Sequence, residues 1–419
     1  MSTTVPPAQF PAAAEVDDHH VHRGTAVYKR IRLALFLAGF SSFALIYCVQ
    51  PLLPEFASSF NVSPTSASLA LSLTTGFLAL AIMVIGGWSQ CVGRKCVMMS
   101  SMFAAAVLNL ICAFLPGWNA LLLVRAFEGI VLGGVPAVAM AYLAEEIAVE
   151  DLGKAMGLYI SGTAFGAMMG RVGMGALTEF GSWRMAMGML GVLCFIAALG
   201  FASLLPPSRN FEAKPGGGLG FHLRTWARHL KNPSLQRLYV LGFCLTSIFV
   251  TVFNYSTFRL RGTPYDLSQS AVSMIFLAFG FGVVSSTVAG GLSDRFGRRP
   301  LLVVAFSTIL LGVLVTLAEP IAAIFVGVAL IATGFFIGHS VASGAVGAAA
   351  DGDKGHAASL YLLFYYIGSS VVGSLSGWFW QHGGWTSVVE LTATFSIAGI
   401  LVSAFGPRVD AARRARQAA

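Results

Sequence analysis

The sequence predicts an all-α membrane protein, with twelve spanning helices in two six-helix bundles that repeat one another. Three observations carry that prediction. Only 11% of the 419 residues are charged and 56% are hydrophobic, whereas a soluble globule carries about 25% charged residues to cover its surface. The apolar residues come in runs of about 20, long enough to cross a hydrocarbon core roughly 30 Å thick. Finally, "GGWSQCVGRK" at 86–95 returns as "GGLSDRFGRR" at 290–299, an offset of 204. Lipid admits only helices or closed barrels, and the alternating segments of about ten residues that mark a barrel are absent.

Taken in order, the expected spans are 31–53, 66–90, 96–115, 119–143, 154–177, 184–205, 235–258, 269–292, 300–318, 321–347, 356–380 and 386–406. They divide the chain into an N-terminal tail (1–30), a first bundle (31–205), a linker (206–234), a second bundle (235–406) and a C-terminal tail (407–419). The linker contains "FHLRTWARHLK" (221–231), which puts Leu223, Trp226, Ala227 and Leu230 on one helical face. Such a helix is expected to lie on the membrane surface.

Basic residues set the orientation. With both termini cytoplasmic, 21 of the 26 Lys and Arg fall on that side, as the positive-inside rule requires. Three (Arg184, Arg259, Arg261) face out, and Arg125 and Arg171 lie within helices. The net charge of +8 therefore reads as topology and contact with anionic lipid. No soluble basic face is left for nucleic acid. The six cysteines fall in helices or near cytoplasmic ends, so no disulfide is expected. "DDHHVH" (17–22) reads as a polar tail, because no ordered cage of metal ligands accompanies it.

The repeat has a second, independent trace. Asp151, Gly153, Ala155, Leu158, Tyr159 and Gly166 return as Asp353, Gly355, Ala357, Leu360, Tyr361 and Gly368, each offset by 202. Matched acids, tyrosines and arginines, in order and without gaps, go beyond what glycine-rich helices share by chance. Parallel repeats about the membrane normal are a transporter plan, with the site near the midplane between the halves.

On these residues the chain resembles the major facilitator superfamily over the whole membrane region. The two glycine–basic loops are similar to its signature between helices 2 and 3 and the echo between 8 and 9. "LLVRAFEGIVLGG" (122–134) and "YCVQPLLPEF" (47–56) resemble motifs of its drug:proton antiporters. "VFNYSTFRL" (252–260) and "SLYLLFYYIGSS" (359–370) are more narrowly similar to the YnfM type of inner-membrane transporter. Three positions depart from the pattern: Gln90 stands for the signature acid, Arg171 for a helix-5 proline, and Glu128 for an amide in helix 4. The resemblance implies a gating latch at Gly93, Arg94 and Lys95, and at Asp294, Arg295, Gly297, Arg298 and Arg299. Plain positive-inside anchoring is the alternative.

Charge inside the membrane points to function. A charged group at the bilayer centre costs on the order of 3 kcal/mol or more, so it faces water, a partner or a substrate. Arg125 and Glu128, at i and i+3, share a face. They make either a proton-exchange site or a static ion pair. Arg171 stands about 100° away from a ridge of Gly162, Gly166 and Gly170. It is expected to bind an anionic substrate group or to pair with an acid, and Glu128 is the one acid expected near it. Tyr47 and Gln50 share a face of helix 1 with Pro51 and Pro54, which break that helix. Asn254, Tyr255, His339, Tyr361, Tyr365 and Tyr366 are expected to give the second half a polar, aromatic cavity wall. His339 is a further candidate for titration.

These readings predict a secondary transporter in the cell inner membrane, working by alternating access on a small molecule. Proton-coupled efflux of amphiphilic or anionic compounds leads, with uptake of an organic anion as one alternative and a non-transporting receptor or scaffold as another. A monomer is expected, with protons and the lipid bilayer as its other partners. No metalloprotease, nucleophile-elbow or phosphate-loop motif is present, so neither catalysis nor a cofactor or metal is expected.

Overall fold

The computed structural model describes residues 20–208, 210–211, 218–350 and 352–405. Among these, ten helical runs are long and apolar enough to span a membrane. One of the ten, Lys354–Phe405, is two spans joined at Gly384, which breaks the helix with φ 59° and ψ −148°. A further helix, Val149–Phe180, has the length but is less apolar than those ten. Ten runs, one of them double, plus this helix give the twelve spans.

We number them α1 (Ala26–Ser59), α2 (Pro64–Val92), α3 (Arg94–Phe114), α4 (Trp118–Glu146), α5 (Val149–Phe180) and α6 (Trp183–Leu204) in the first half. The second half holds α7 (Pro233–Arg261), α8 (Gln269–Ser293), α9 (Arg298–Val315), α10 (Ile321–Ala349), α11 (354–383) and α12 (385–405). A separate linker helix, Leu219–Leu230, lies between the halves.

The sequence explains where the helices start, bend and stop. Thr25 caps α1, its hydroxyl accepting from the Tyr28 amide at 3.1 Å. That puts the start five residues before the hydropathy boundary at 31. Val21 is held by backbone bonds to Glu146 and Ala148, so the segment just before α1 packs on the first half. Pro51 and Pro54 break α1 into a helix, a 3-10 turn at Gln50–Leu52 and a short final helix, since each proline removes a backbone donor. Gly93 (φ 98°) and Gly297 (φ 86°) make the tight turns between α2 and α3 and between α8 and α9, a backbone region open mainly to glycine. The α5 glycine ridge lies directly on α1. A Cβ at Gly162 would sit 2.6 Å from the Phe36 carbonyl oxygen, and one at Gly170 would sit 2.7 Å from the Ala44 Cα. Only glycine permits that approach.

The halves touch unevenly. We call the side holding the two glycine turns and the linker helix the basic face. Contacts between the halves gather at the midplane and on the opposite face. There, Glu55 pairs with Arg261 at 2.7 Å, Gln269 Nε2 donates to the Pro51 carbonyl, and Thr65 donates to Gln381 at 2.9 Å. Nearer the midplane, Ser72 meets Ser374 at 2.7 Å and Thr75 meets Ser370 at 2.8 Å. α5 shows the asymmetry within one element. A Cβ at Gly175, by the opposite face, would strike Ser273 of α8, whereas at Gly157, towards the basic face, it would meet nothing within 4 Å. Along α5 the halves meet at the opposite face and stand apart towards the basic one, where the linker's His222 lies between Gly87 of α2 and His356 of α11.

The linker helix is present, but its packed face differs from the hydrophobic stripe. Leu223 and Leu230 are exposed, while Thr225 and His229 are buried. His222 Nδ1 lies 2.8 Å from His356 Nε2, and Trp226 Nε1 donates to Ser359 at 3.3 Å. The helix docks by its histidine–tryptophan side on the foot of α11 and leaves Leu223 and Leu230 exposed.

Candidate functional site

At the midplane, two arginines of the first half are fully enclosed, and their surroundings differ. Arg125 of α4 donates from Nη1 to Glu128 Oε2 at 2.6 Å. It also donates from Nη1 and Nη2 to the Leu45 and Ile46 carbonyls at 3.3 and 3.1 Å, and from Nε to Ala70 at 3.2 Å. Leu45 and Ile46 end the first segment of α1, where the helix leaves carbonyls without intrahelical donors. A guanidinium is well suited to bind them. The i, i+3 reading of this pair is therefore its geometry. One atom is left over: Glu128 Oε1 is buried and has no hydrogen-bond partner.

Arg171 of α5 is 1% exposed, yet no carboxylate is bound to it among the described residues. Of the two readings of Arg171, pairing with Glu128 is not what the structure has, because Arg125 holds that carboxylate. Arg171 instead donates from Nε to Gln50 Oε1 at 2.6 Å and from Nη1 to the Ala167 carbonyl. Aromatic rings enclose the rest of the guanidinium, with Tyr47 at 4.0 Å, Phe279 at 4.7 Å and Phe276 at 5.3 Å from their centroids. Cation–π attraction supplies part of what a carboxylate would. The position has no symmetric equivalent, since the 202 offset carries Arg171 to Gly373.

Gln50 extends this contact to the other half. Its Nε2 donates to Asn254 Oδ1 of α7 at 2.7 Å. The two residues are 204 positions apart, the offset of the repeated loops, so they occupy matching places in α1 and α7 and meet where the halves face each other. Both are fully buried, and Asn254 Nδ2 has no partner.

The second half contributes aromatic surface. His339 Nδ1 lies 3.0 Å from the Tyr361 hydroxyl, its ring stacks on Phe335, and Tyr365 is 4.8 Å away. Tyr47 reaches Tyr365 and Tyr366 across the gap, which brings this wall against Arg171. His339 itself contacts aromatic side chains rather than an acid. α11 carries a one-residue widening over Gly368–Val372, a local geometry frequent at functional sites. Tyr255 does not join the wall: its hydroxyl donates to the Gly373 carbonyl at 3.0 Å and its ring lies beside Phe258 and Trp380.

The loop residues sit at the basic face. Arg94 pairs with Glu145 of α4 at 2.7 Å and also binds Ser89, while Lys95 donates to the Leu205 carbonyl. Both contacts stay within the first half. Arg295 is exposed, and Arg298 and Arg299 are half-buried. The side chains of Gln90 and Asp294 lie outside the described residues. Sequence reasoning missed Phe276 and Phe279 as the cover over Arg171. It had a usable signal for the Gln50–Asn254 meeting, namely the shared offset.

The Major Facilitator Superfamily profile matches residues 35–342 and again 261–419. The chain belongs to the major facilitator superfamily. Among relatives of this superfamily, it is 44% identical over 388 residues to the MFS-type transporter YybF of Bacillus subtilis (strain 168), covering 92% of this chain and 95% of that one. It is 39% identical over 382 residues to the inner membrane transport protein YnfM of Escherichia coli (strain K12), covering 91% of each. The fold is shared with the nucleoside transporter NupG at a TM-score of 0.72 and 15% identity, over 89% of this chain and 98% of NupG. The protein is thus a multi-pass membrane transporter and not an enzyme.

Proposed function

We propose that this transporter moves small organic anions by alternating access, with Arg171 as the anchor for the anionic group. The observation that carries the reading is a fully enclosed guanidinium at the meeting of the halves, held by one amide, one carbonyl and aromatic rings but, among the described residues, by no carboxylate. An unpaired buried charge is costly, and a cargo carboxylate would relieve that cost. Tyr47, Phe276 and Phe279 around it favour an aromatic or otherwise flat cargo. Both termini and the basic face are placed in the cytoplasm on the distribution of Lys and Arg, which makes the present arrangement open to the inside.

A second reading rests on Glu128, whose partnerless Oε1 is a place for a proton. In that reading Glu128 exchanges the coupling ion and Arg125 competes with it, which supports proton-driven export. The test uses everted vesicles with an imposed pH gradient and a panel of aromatic carboxylates and sulfonates. Anion movement that disappears in Arg171→Leu supports the anchor, and equal movement in that variant rejects it. Loss of gradient-driven movement in Glu128→Gln, with downhill movement kept, supports the proton site.

A further inference from the structure

The contact between Arg171 and Gln50 has a consequence for gating, and it rests on the anion reading of Arg171. Arg171 offers only donors, so the amide of Gln50 must present its oxygen there. With that face engaged, the Gln50 nitrogen is turned towards Asn254, whose oxygen must accept. The Asn254 nitrogen is then left without a partner in the interior. One cation thus orients two amides in series across the two halves. An orphaned buried donor carries a penalty, so the arrangement is held by Arg171 and not by the best pairing of the amides themselves.

We propose that in the empty carrier Gln50 occupies the place on Arg171 that the cargo's anionic group takes, and thereby holds α1 against α7 to keep the opposite face shut. An arriving carboxylate or sulfonate accepts from Arg171 Nε in a charge-assisted bond stronger than the amide's. Gln50 is displaced, loses the orientation that fixed it on Asn254, and the link between the halves is released. The carrier with Glu128 still in its ion pair therefore reorients with cargo far more readily than without. Exchange of one anion for another should outrun net movement.

Ser273 is the reporter for the test, because it is fully buried at the sealed opposite face against α5. The protein is purified as the full chain, with the exposed Cys91 and Cys96 replaced by serine and with Ser273→Cys introduced. Labelling by a water-soluble maleimide is then timed. Without any anion, adding Gln50→Leu or, independently, Asn254→Leu should speed labelling about fivefold, the population shift that one net hydrogen bond supports. Sodium benzoate or benzenesulfonate should speed labelling of the parent and have no further effect in either variant. Unchanged labelling in both folded variants would overturn the link. Anion effects that are absent in the parent, or that persist in the Gln50→Leu protein, would overturn release by cargo. Failure of the anchor is read separately, as anion transport that survives Arg171→Leu.

Discussion

Two guanidiniums, Arg125 and Arg171, are equally hidden and differently answered. Arg125 meets a carboxylate and three main-chain carbonyls, and it fastens α4 to the broken end of α1. Arg171 meets an amide, one carbonyl and aromatic faces. Burial alone therefore does not distinguish a structural charge from a working one. Under the anion reading, the absence of a compensating charge among the described residues does, because such a site would keep binding capacity for an anion. The second half sharpens the contrast: α10, the counterpart of α4, contains no Asp, Glu, Lys or Arg and has His339 as its one titratable residue.

The largest effect should come from breaking the compensated pair. Arg125→Ala leaves Glu128 charged, buried and alone, at a cost of about 3–5 kcal/mol. We expect loss of folded protein by fluorescence-detected size exclusion, and substantial recovery in the Arg125→Leu, Glu128→Leu double variant. Recovery no better than the single variant would mean that the carbonyl contacts, rather than the ion pair, dominate. Arg171→Leu should behave oppositely, with melting temperature kept or raised while anion transport is lost. Arg171→Lys should raise apparent KM more than it lowers kcat, since Lys keeps the charge and loses the planar fork. A fall in melting temperature as large as that of Arg125→Ala would erase the distinction drawn here. Glu128→Gln should fold, keep downhill anion movement and lose uphill accumulation, measured in vesicles at matched and opposed pH. The smallest effect is expected at the rim. Glu55 and Arg261 are partly exposed, so Glu55→Gln should shift the labelling of Ser273→Cys by less than about fivefold, the difference fading at high salt.

The helices were legible because hydropathy and positive-φ glycines act locally: the turns at Gly93 and Gly297 and the stops near Phe114 and Leu204 lie within a few residues of the expected ends. The pair Arg125–Glu128 was legible for the same reason, since i, i+3 spacing needs no knowledge of neighbours. What a residue meets across a helix interface is not encoded in its own periodicity. Glu128 was the one acid expected near Arg171, and Tyr255 was expected to line the cavity. Instead α1 supplies Gln50 to Arg171, and Tyr255 faces α11. The docked side of the linker was hidden for a like reason: the leucine stripe was the stronger pattern, whereas the contacts of His222 and Trp226 depend on His356 and Ser359 of α11.

The modest apolarity of α5 bears on how the protein is made. A segment with Arg171 in its interior and glycines at 157, 162, 166, 170, 173 and 175 has less tendency than its neighbours to leave the translocation channel for lipid unaided, because an interior charge opposes partitioning. Its glycine ridge, matched to Phe36, Phe40 and Ala44 of α1, supplies a surface that the earlier helix already presents when α5 emerges from the ribosome. Bulky substitutions along the ridge remove that surface and are expected to appear first as altered topology downstream of α5, read by cysteine accessibility.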